Sequence, residues 1–334
     1  EDSAIVLGDR PIGRGYPPFI AAEMSGNHNQ SIDHALEIID GAAAAGAHGV
    51  KLQTYTADTM TMKVDRPEYY VTSSDTPWAG RHLYELYEAA HTPWEWHERL
   101  FARIRECGMV PFSTPFDESA VDFLEELDAP FYKIASFENN HIPLIRRVGR
   151  TRKPIVMSTG MATIAELDEA VRAARESGCR DLILLKCTSS YPASPLDSNV
   201  RTIPHLSQLF QCQAGLSDHT LGIGAAIASV AMGGCFIEKH FTVDRSIGGP
   251  DADFSLEPPE LRSLVEESAR AWQSLGSVRY GPGDAERALR PYRRSLVFAE
   301  DLPEGTVVRP GDLRIIRPGR GLPPAEAEKL YGLR

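Results

Sequence analysis

At 334 residues, with 42% hydrophobic and 24% charged side chains, the chain has the composition of a soluble globular protein with one large domain, or one large and one small. A formal net charge of -11 argues against non-specific nucleic-acid binding, and no signal peptide or membrane-length apolar run is expected. Cys107, Cys179, Cys187, Cys212 and Cys235 form no CxxC and fall mostly in or beside apolar runs, which reads as buried thiols in a reducing cytoplasm.

The chain opens at Glu1 rather than Met, so a few native residues are expected to precede it. Ile5–Pro17, with Gly8, Pro11, Gly13 and Gly15, predicts a short hairpin. Eight strands follow, at Phe19–Ser25, Gly49–Thr54, Met109–Phe116, Phe131–Ser136, Pro154–Gly160, Asp181–Ser189, Cys212–His219 and Cys235–Thr242. Helices are expected between them at Ser31–Ala45, Pro93–Cys107, Glu118–Leu127, Ile142–Val148, Ile164–Glu176, Val200–Phe210 and Leu221–Met232, with an eighth at Pro259–Leu275. Eight β-then-α units over roughly 250 residues predict a (β/α)8 TIM barrel. A doubly wound open sheet is the competing α/β arrangement, weakened because no G-x-G-x-x-G follows the first strand.

Local signals agree. Ser31 is placed to cap a helix, Thr163 with Glu166 is a capping box, and Gly108, Gly178 and Gly276 stand where helices should end. Asp58–Arg81 is long, polar and weakly periodic, which predicts a functional loop over the second strand's end. The barrel domain is expected over residues 1–278, a linker around Tyr280-Gly-Pro-Gly283 over 279–291, and a small β-rich domain over 292–334, incomplete at its end. Strands are expected there at Ser295–Ala299 and Thr306–Val308.

Residues i and i+2 share a face of a strand, and barrel active sites lie at the C-terminal rim. Polar strand ends should therefore converge there: Glu23, Lys51, Gln53, Ser113, Thr114, Lys133, Ser136, Ser158, Lys186, Thr188, Ser217, His219, Glu238 and His240. His219 and His240 end consecutive strands, each near an acidic residue, and read equally as metal ligands or as satisfied core groups. Two imidazoles suit Zn, Mn, Fe or Co, and a closed structural zinc site would need more donors. Lys51, Lys133 and Lys186 inside apolar strands suggest a cationic site for a phosphate and a carboxylate, with a Schiff-base lysine as the alternative. The hydroxyls of Thr114, Ser136 and Ser217 suit anion recognition or strand-end capping. Glu23 is either a partner for a lysine or a carboxylate that handles a proton or a metal-bound water.

The motifs A-E-M-S-G-N-H-N (Ala22–Asn29), V-K-L-Q-T (Val50–Thr54), F-S-T-P-F (Phe112–Phe116), K-I-A-S-F-E (Lys133–Glu138), S-T-G-M-A (Ser158–Ala162), C-T-S-S-Y-P (Cys187–Pro192), L-S-D-H-T and E-K-H-F-T resemble the sialic acid synthase family over nearly the whole chain. Ile316–Gly321 (I-R-P-G-R-G) resembles the antifreeze-like (SAF) domain that ends these enzymes. The resemblance implies condensation of phosphoenolpyruvate with an amino-sugar aldehyde. Within the family, A-E-M-S-G-N-H-N-Q-S, K-L-Q-T-Y-T-A-D-T-M-T and K-I-A-S-F-E-N resemble the branch that uses 2,4-diacetamido-2,4,6-trideoxy-L-altrose. The alternative is an N-acetylneuraminate or legionaminate branch. Phe137 replaces the glycine usual in N-acetylneuraminate enzymes, and Ser189 replaces an asparagine, which removes one expected hydrogen bond.

Carried onto matching positions, the family's roles give His219 and His240 a divalent metal, manganese first, with magnesium or cobalt as alternatives. Lys51, Thr114, Lys133, Ser136 and Ser217 would hold phosphoenolpyruvate. Gln53, Tyr191, Asp251 and Arg317 would face the sugar. Glu23, Glu238 and Lys51 are the candidate catalytic residues. The resemblance also implies a cytoplasmic, domain-swapped homodimer whose partner subunit supplies the SAF domain.

Overall fold

The computed structural model describes residues 4–73 and 76–334. Two of the residues expected in the loop over the second barrel strand, Ser74 and Asp75, lie outside the described residues.

An antiparallel hairpin, β1 (Ile5–Leu7) and β2 (Arg10–Ile12), opens the chain. Eight parallel strands follow: β3 (Phe19–Glu23), β4 (Gly49–Thr54), β5 (Val110–Pro115), β6 (Tyr132–Ile134), β7 (Ile155–Ser158), β8 (Leu182–Cys187), β9 (Gln213–Asp218) and β10 (Phe236–His240). Each pairs with the next, and β10 pairs back onto β3, so the sheet is closed and has no edge. This is the TIM barrel, and the open-sheet alternative is excluded.

Strand alternation sorts the side chains into two cores. Val50, Leu52, Ile134, Met157, Leu184, Leu216 and Ile237 point outward into a shell with the helices. The helix Ile32–Ala45 presents Ala35, Ile38, Ile39 and Ala42 to that shell, the i, i+3, i+4, i+7 stripe of an amphipathic helix. The Ser31 hydroxyl accepts from His34 N–H at its start, and Gly46 at φ 88° ends it in the left-handed region that favours glycine.

Inside the barrel, Phe19, Phe112, Phe131, Phe236, Val156, Ile183 and Leu185 meet Ile5, Leu7 and Ile12 of the hairpin. Phe19 stacks on Phe236 at 4.9 Å and Phe112 on Phe131 at 4.4 Å between ring centroids. The lower barrel is thus a dry aromatic floor, and the polar strand ends form a layer above it.

All eight expected helices form, including Ile164–Glu176 with the Thr163–Glu166 capping box. The stretch expected as loop over the second barrel strand carries a short helix, Ala57–Met60, and a 3-10 turn at Pro67–Tyr69. It leads into a helix, Leu83–Ala90, that the pattern did not predict because only Leu86 is buried on it.

The chain divides into two compact units, Glu1–Leu275 and Gly276–Arg334. In the second, β11 (Ser295–Phe298) pairs antiparallel with β12 (Leu313–Ile316). The strand expected at Thr306–Val308 does not form. β-branched character suggested a strand there, but the pairing partner of β11 is the run that ends at the I-R-P-G-R-G motif.

Candidate active site

Three consecutive strands set the centre of the rim. In register, His240 on β10 lies beside Glu23 on β3, and Glu23 lies beside Lys51 on β4. Lys51 Nζ donates to Glu238 Oε1 at 2.7 Å and stands 3.3 Å from Glu23 Oε2. Gln53 Nε2 donates to Glu23 Oε1 at 2.7 Å. Lys133 Nζ donates to Ser158 Oγ at 2.7 Å and is 3.8 Å from Glu238 Oε2. All four charged side chains are buried.

This burial sets their charge. It pushes the Glu23 carboxyl up to about 7, against the opposing pull of Lys51. It would raise Glu238 too, but the ammonium groups of Lys133 and Lys51 outweigh it and hold that carboxyl below its usual range. It pushes Lys133 down to about 8, with Glu238 opposing. Two carboxylates side by side therefore differ: one is poised to titrate near neutrality and the other is held ionised.

Several buried polar atoms here have no hydrogen-bond partner, among them Glu23 Oε2, Glu238 Oε2, Thr114 Oγ1 and His240 Nδ1. Unmet groups gathered at one place are what a ligand would satisfy. Ser217, in register with Glu238, and Ser136 are buried at the same rim. Gly160 N–H donates to Ser136 Oγ at 3.1 Å. A Cβ on Gly160 would stand 2.3 Å from Ser189 Oγ and 2.6 Å from Ser136 Oγ, so only glycine lets these hydroxyls converge.

The rings of His219 and His240 are 5.5 Å apart. His219 Nδ1 is 2.9 Å from Thr188 O and donates to it. Burial would lower this imidazole, but the Cys187 sulfur and the Thr188 carbonyl beside it hold it above the usual range, so Nε2 offers a lone pair only once the ring gives up its second proton. Burial holds His240 well below the usual imidazole range, hence neutral, as a metal ligand must be. Among the described residues no group of three or more His, Cys, Asp or Glu is placed to hold an ion. An ion held by these two imidazoles alone would have to take its other positions from water and substrate oxygens.

Tyr191 lies 4.3 Å from the His219 ring. Asp251 accepts from the Ser25 hydroxyl, and its Oδ2 is 3.9 Å from His240 Nδ1. Arg317 belongs to the second unit, where it is exposed.

Three predicted positions direct their side chains away from this cavity. Lys186 alternates with the inward Cys187, so its ammonium instead reaches Cys187 O at 2.9 Å and Thr188 Oγ1 at 3.2 Å. Ser113 precedes the inward Thr114 and bonds Thr54 Oγ1 at 2.7 Å, on the helix side of the sheet. Thr188 Oγ1 donates to Asp197 O, a loop contact. Three residues were missed. Glu138 is buried with Oε2 unpartnered, and burial pushes it up to about 7 against Lys133 and Lys51. Cys187 Sγ lies 3.9 Å from His219 Nδ1. Phe254 lies 5.0 Å from the His240 ring. Glu138 closes the quoted K-I-A-S-F-E motif and Cys187 opens the quoted C-T-S-S-Y-P motif, which were usable signals; Phe254 lies in no quoted motif.

The sequence profile of the NeuB family matches residues 38–280, and that of the SAF domain matches residues 293–333. The pseudaminic acid synthase of Campylobacter jejuni subsp. jejuni serotype O:23/36 is 38% identical over 314 residues, 94% of this chain and 91% of that one. The pseudaminic acid synthase of Helicobacter pylori is 38% identical over 318 residues, 95% and 93% of the two chains. Among solved structures, the N-acetylneuraminic acid synthetase of Leptospira borgpetersenii, in complex with citrate, superposes with a TM-score of 0.77 at 32% identity, covering 86% of this chain and 95% of that one.

Proposed function

The chain belongs to the NeuB family, and on that premise we propose that it acts as a pseudaminic acid synthase, condensing phosphoenolpyruvate with 2,4-diacetamido-2,4,6-trideoxy-L-altrose. The observation that carries the reading is the buried cluster of Lys51 and Lys133 around Glu23 and Glu238, next to the imidazoles of His219 and His240. It combines cations for a phosphate and a carboxylate with a carboxyl that titrates near neutrality.

In this reading Lys51, Thr114, Lys133, Ser136 and Ser217 hold the anionic groups of phosphoenolpyruvate, and Gln53, Tyr191 and Asp251 face the sugar. The C2–C3 electron pair forms the new bond to the sugar's aldehyde carbon, whose oxygen takes up a proton and becomes a hydroxyl. Water adds at C2 and gives up a proton. The tetrahedral adduct then collapses, the C2–O bond breaks, and phosphate leaves. Glu23, poised at about 7, suits the proton transfers. Glu238 stays ionised and holds the two lysines in place. Orientation and fixed charge supply much of the rate. We infer a divalent ion on His219 and His240, manganese first and magnesium or cobalt as alternatives; when bound it supplies Lewis-acid polarisation of the aldehyde.

A homodimer fits the exposed apolar residues beyond the barrel's strand ends. Phe137, Met161 and Leu221 are each about 60% exposed and Leu196 is 90% exposed, a surface that a second copy would cover. Arg317 of the partner subunit's SAF domain would then complete the sugar site. Five free thiols favour a cytoplasmic location, and no helix among the described residues is long and apolar enough to cross a membrane.

The test is phosphate release with phosphoenolpyruvate and each candidate sugar. Turnover of the trideoxy altrose supports the reading. Turnover of N-acetylmannosamine or the legionaminate precursor in its place contradicts it.

A further inference from the structure

We propose that Trp78 forms an apolar wall of the sugar site and makes the enzyme selective for a sugar that is deoxygenated at carbon 6, an inference that rests on the function proposed above. Trp78 lies on the long connection between β4 and the helix Leu83–Ala90. Its indole N–H donates to Pro250 O at 2.8 Å, which ties this connection to the one after β10. The ring is half-buried. Its centroid stands 5.4 Å from Tyr191 and 6.4 Å from Phe254, the latter edge-on at 85°. Tyr191 in turn lies 4.3 Å from His219, and Phe254 5.0 Å from His240. Three connections, after β4, β8 and β10, thus contribute one aromatic ring each to a wall facing the two histidines.

The chemistry of that wall is selective. The one hydrogen-bonding group of Trp78 is already used on Pro250, and Phe254 has none. A methyl group set against these rings gains from leaving water. A hydroxymethyl group packed on Trp78 and Phe254 loses its water with no partner on either ring, and the Tyr191 hydroxyl is the one polar group in the wall. An apolar pocket discriminates against one added hydroxyl by about 100-fold at most, and that is the scale of effect expected.

The test compares kcat/KM for the trideoxy altrose and for its 6-hydroxy counterpart, in the wild type, Trp78→Ala and Trp78→Phe. The wild type should favour the trideoxy sugar. Trp78→Ala should lower that ratio by about 10- to 100-fold while leaving KM for phosphoenolpyruvate unchanged. Trp78→Phe should keep most of the ratio, because it retains a ring and loses only the N–H. Parallel losses on both sugars in Trp78→Ala would mean that Trp78 merely holds its loop, and would overturn the inference. So would an unchanged ratio in Trp78→Ala, or a ratio lost equally in both variants. If the wild type uses N-acetylmannosamine and neither diacetamido sugar, the proposed function itself fails, and the inference fails with it.

Discussion

Glu23 and Lys51 are register partners on adjacent strands, and their charged ends meet 3.3 Å apart in a buried layer above an aromatic floor. Lys51 also donates to Glu238, so one ammonium serves two carboxylates. Burial alone would lower the Lys51 ammonium, but Glu23 and Glu238 outweigh it and hold it charged. Lys51→Met would strand both carboxylates and should cost about 3–5 kcal/mol at pH 7.5. The sign of its pH dependence follows from Glu23, whose folded-state pKa, already raised to about 7, would rise further without its partner. The folded variant then binds more protons than the unfolded chain between the ordinary carboxyl range and that raised value, so it regains stability as pH falls. Urea unfolding at pH 7.5 and 5.5 should show the deficit shrinking at the lower pH. A deficit that is small, or that grows at pH 5.5, would contradict the arrangement.

Lys133 should set the basic limb of phosphoenolpyruvate use. Burial pushes it down to about 8, and only its charged form serves an anion. The profile of kcat/KM for phosphoenolpyruvate, which reports the free enzyme, should fall above about pH 8. Lys133→Arg should move that limb out of the accessible range, since a guanidinium keeps its charge. An unshifted limb in the variant would assign it to another group.

Removal of divalent metal should abolish turnover, and manganese should restore it. His219→Ala and His240→Ala should each weaken manganese binding by at least about 10-fold, read by calorimetry without substrates. Tight manganese binding by the double variant would place the ion elsewhere.

On the outer face of the same strands, Lys239 Nζ donates to Asp218 Oδ2 at 2.8 Å and to Thr220 O and Gly222 O at 2.7 Å each. This buried donor fixes the turn that carries His219. Lys239→Met leaves the Asp218 carboxylate unpaired and should cost about 3–5 kcal/mol, while Lys239→Met with Asp218→Leu should recover much of it. Denaturant unfolding measures both; a single variant as stable as the wild type would show the pair to be dispensable.

The barrel was legible because each strand is a short apolar run followed by an amphipathic helix with its own cap, so local pattern and fold agree, as at Gly49–Thr54 and Ile164–Glu176. The rim was legible wherever alternation could be counted from a well-placed strand, as for Lys51 with Gln53 and Glu238 with His240. It failed in two ways. Ser113 and Thr114 were both assigned inward although neighbours cannot share a face, and Phe112 shows that Thr114 turns in; Lys186 was assigned inward with Thr188, whereas the inward Leu185 puts Cys187 on that face instead. Trp78, Phe254 and the Ser25–Asp251 bond were not legible, because each depends on loops meeting across more than a hundred residues of sequence.

The most direct test follows the bridging oxygen of phosphoenolpyruvate. Substrate labelled with oxygen-18 between carbon 2 and phosphorus is turned over with the trideoxy altrose, and product and phosphate are weighed by mass spectrometry. Attack by carbon 3 followed by C–O cleavage puts the label in the phosphate and leaves an unlabelled nonulosonic acid. Label retained in the sugar acid, or no phosphate released with this sugar, would contradict the account.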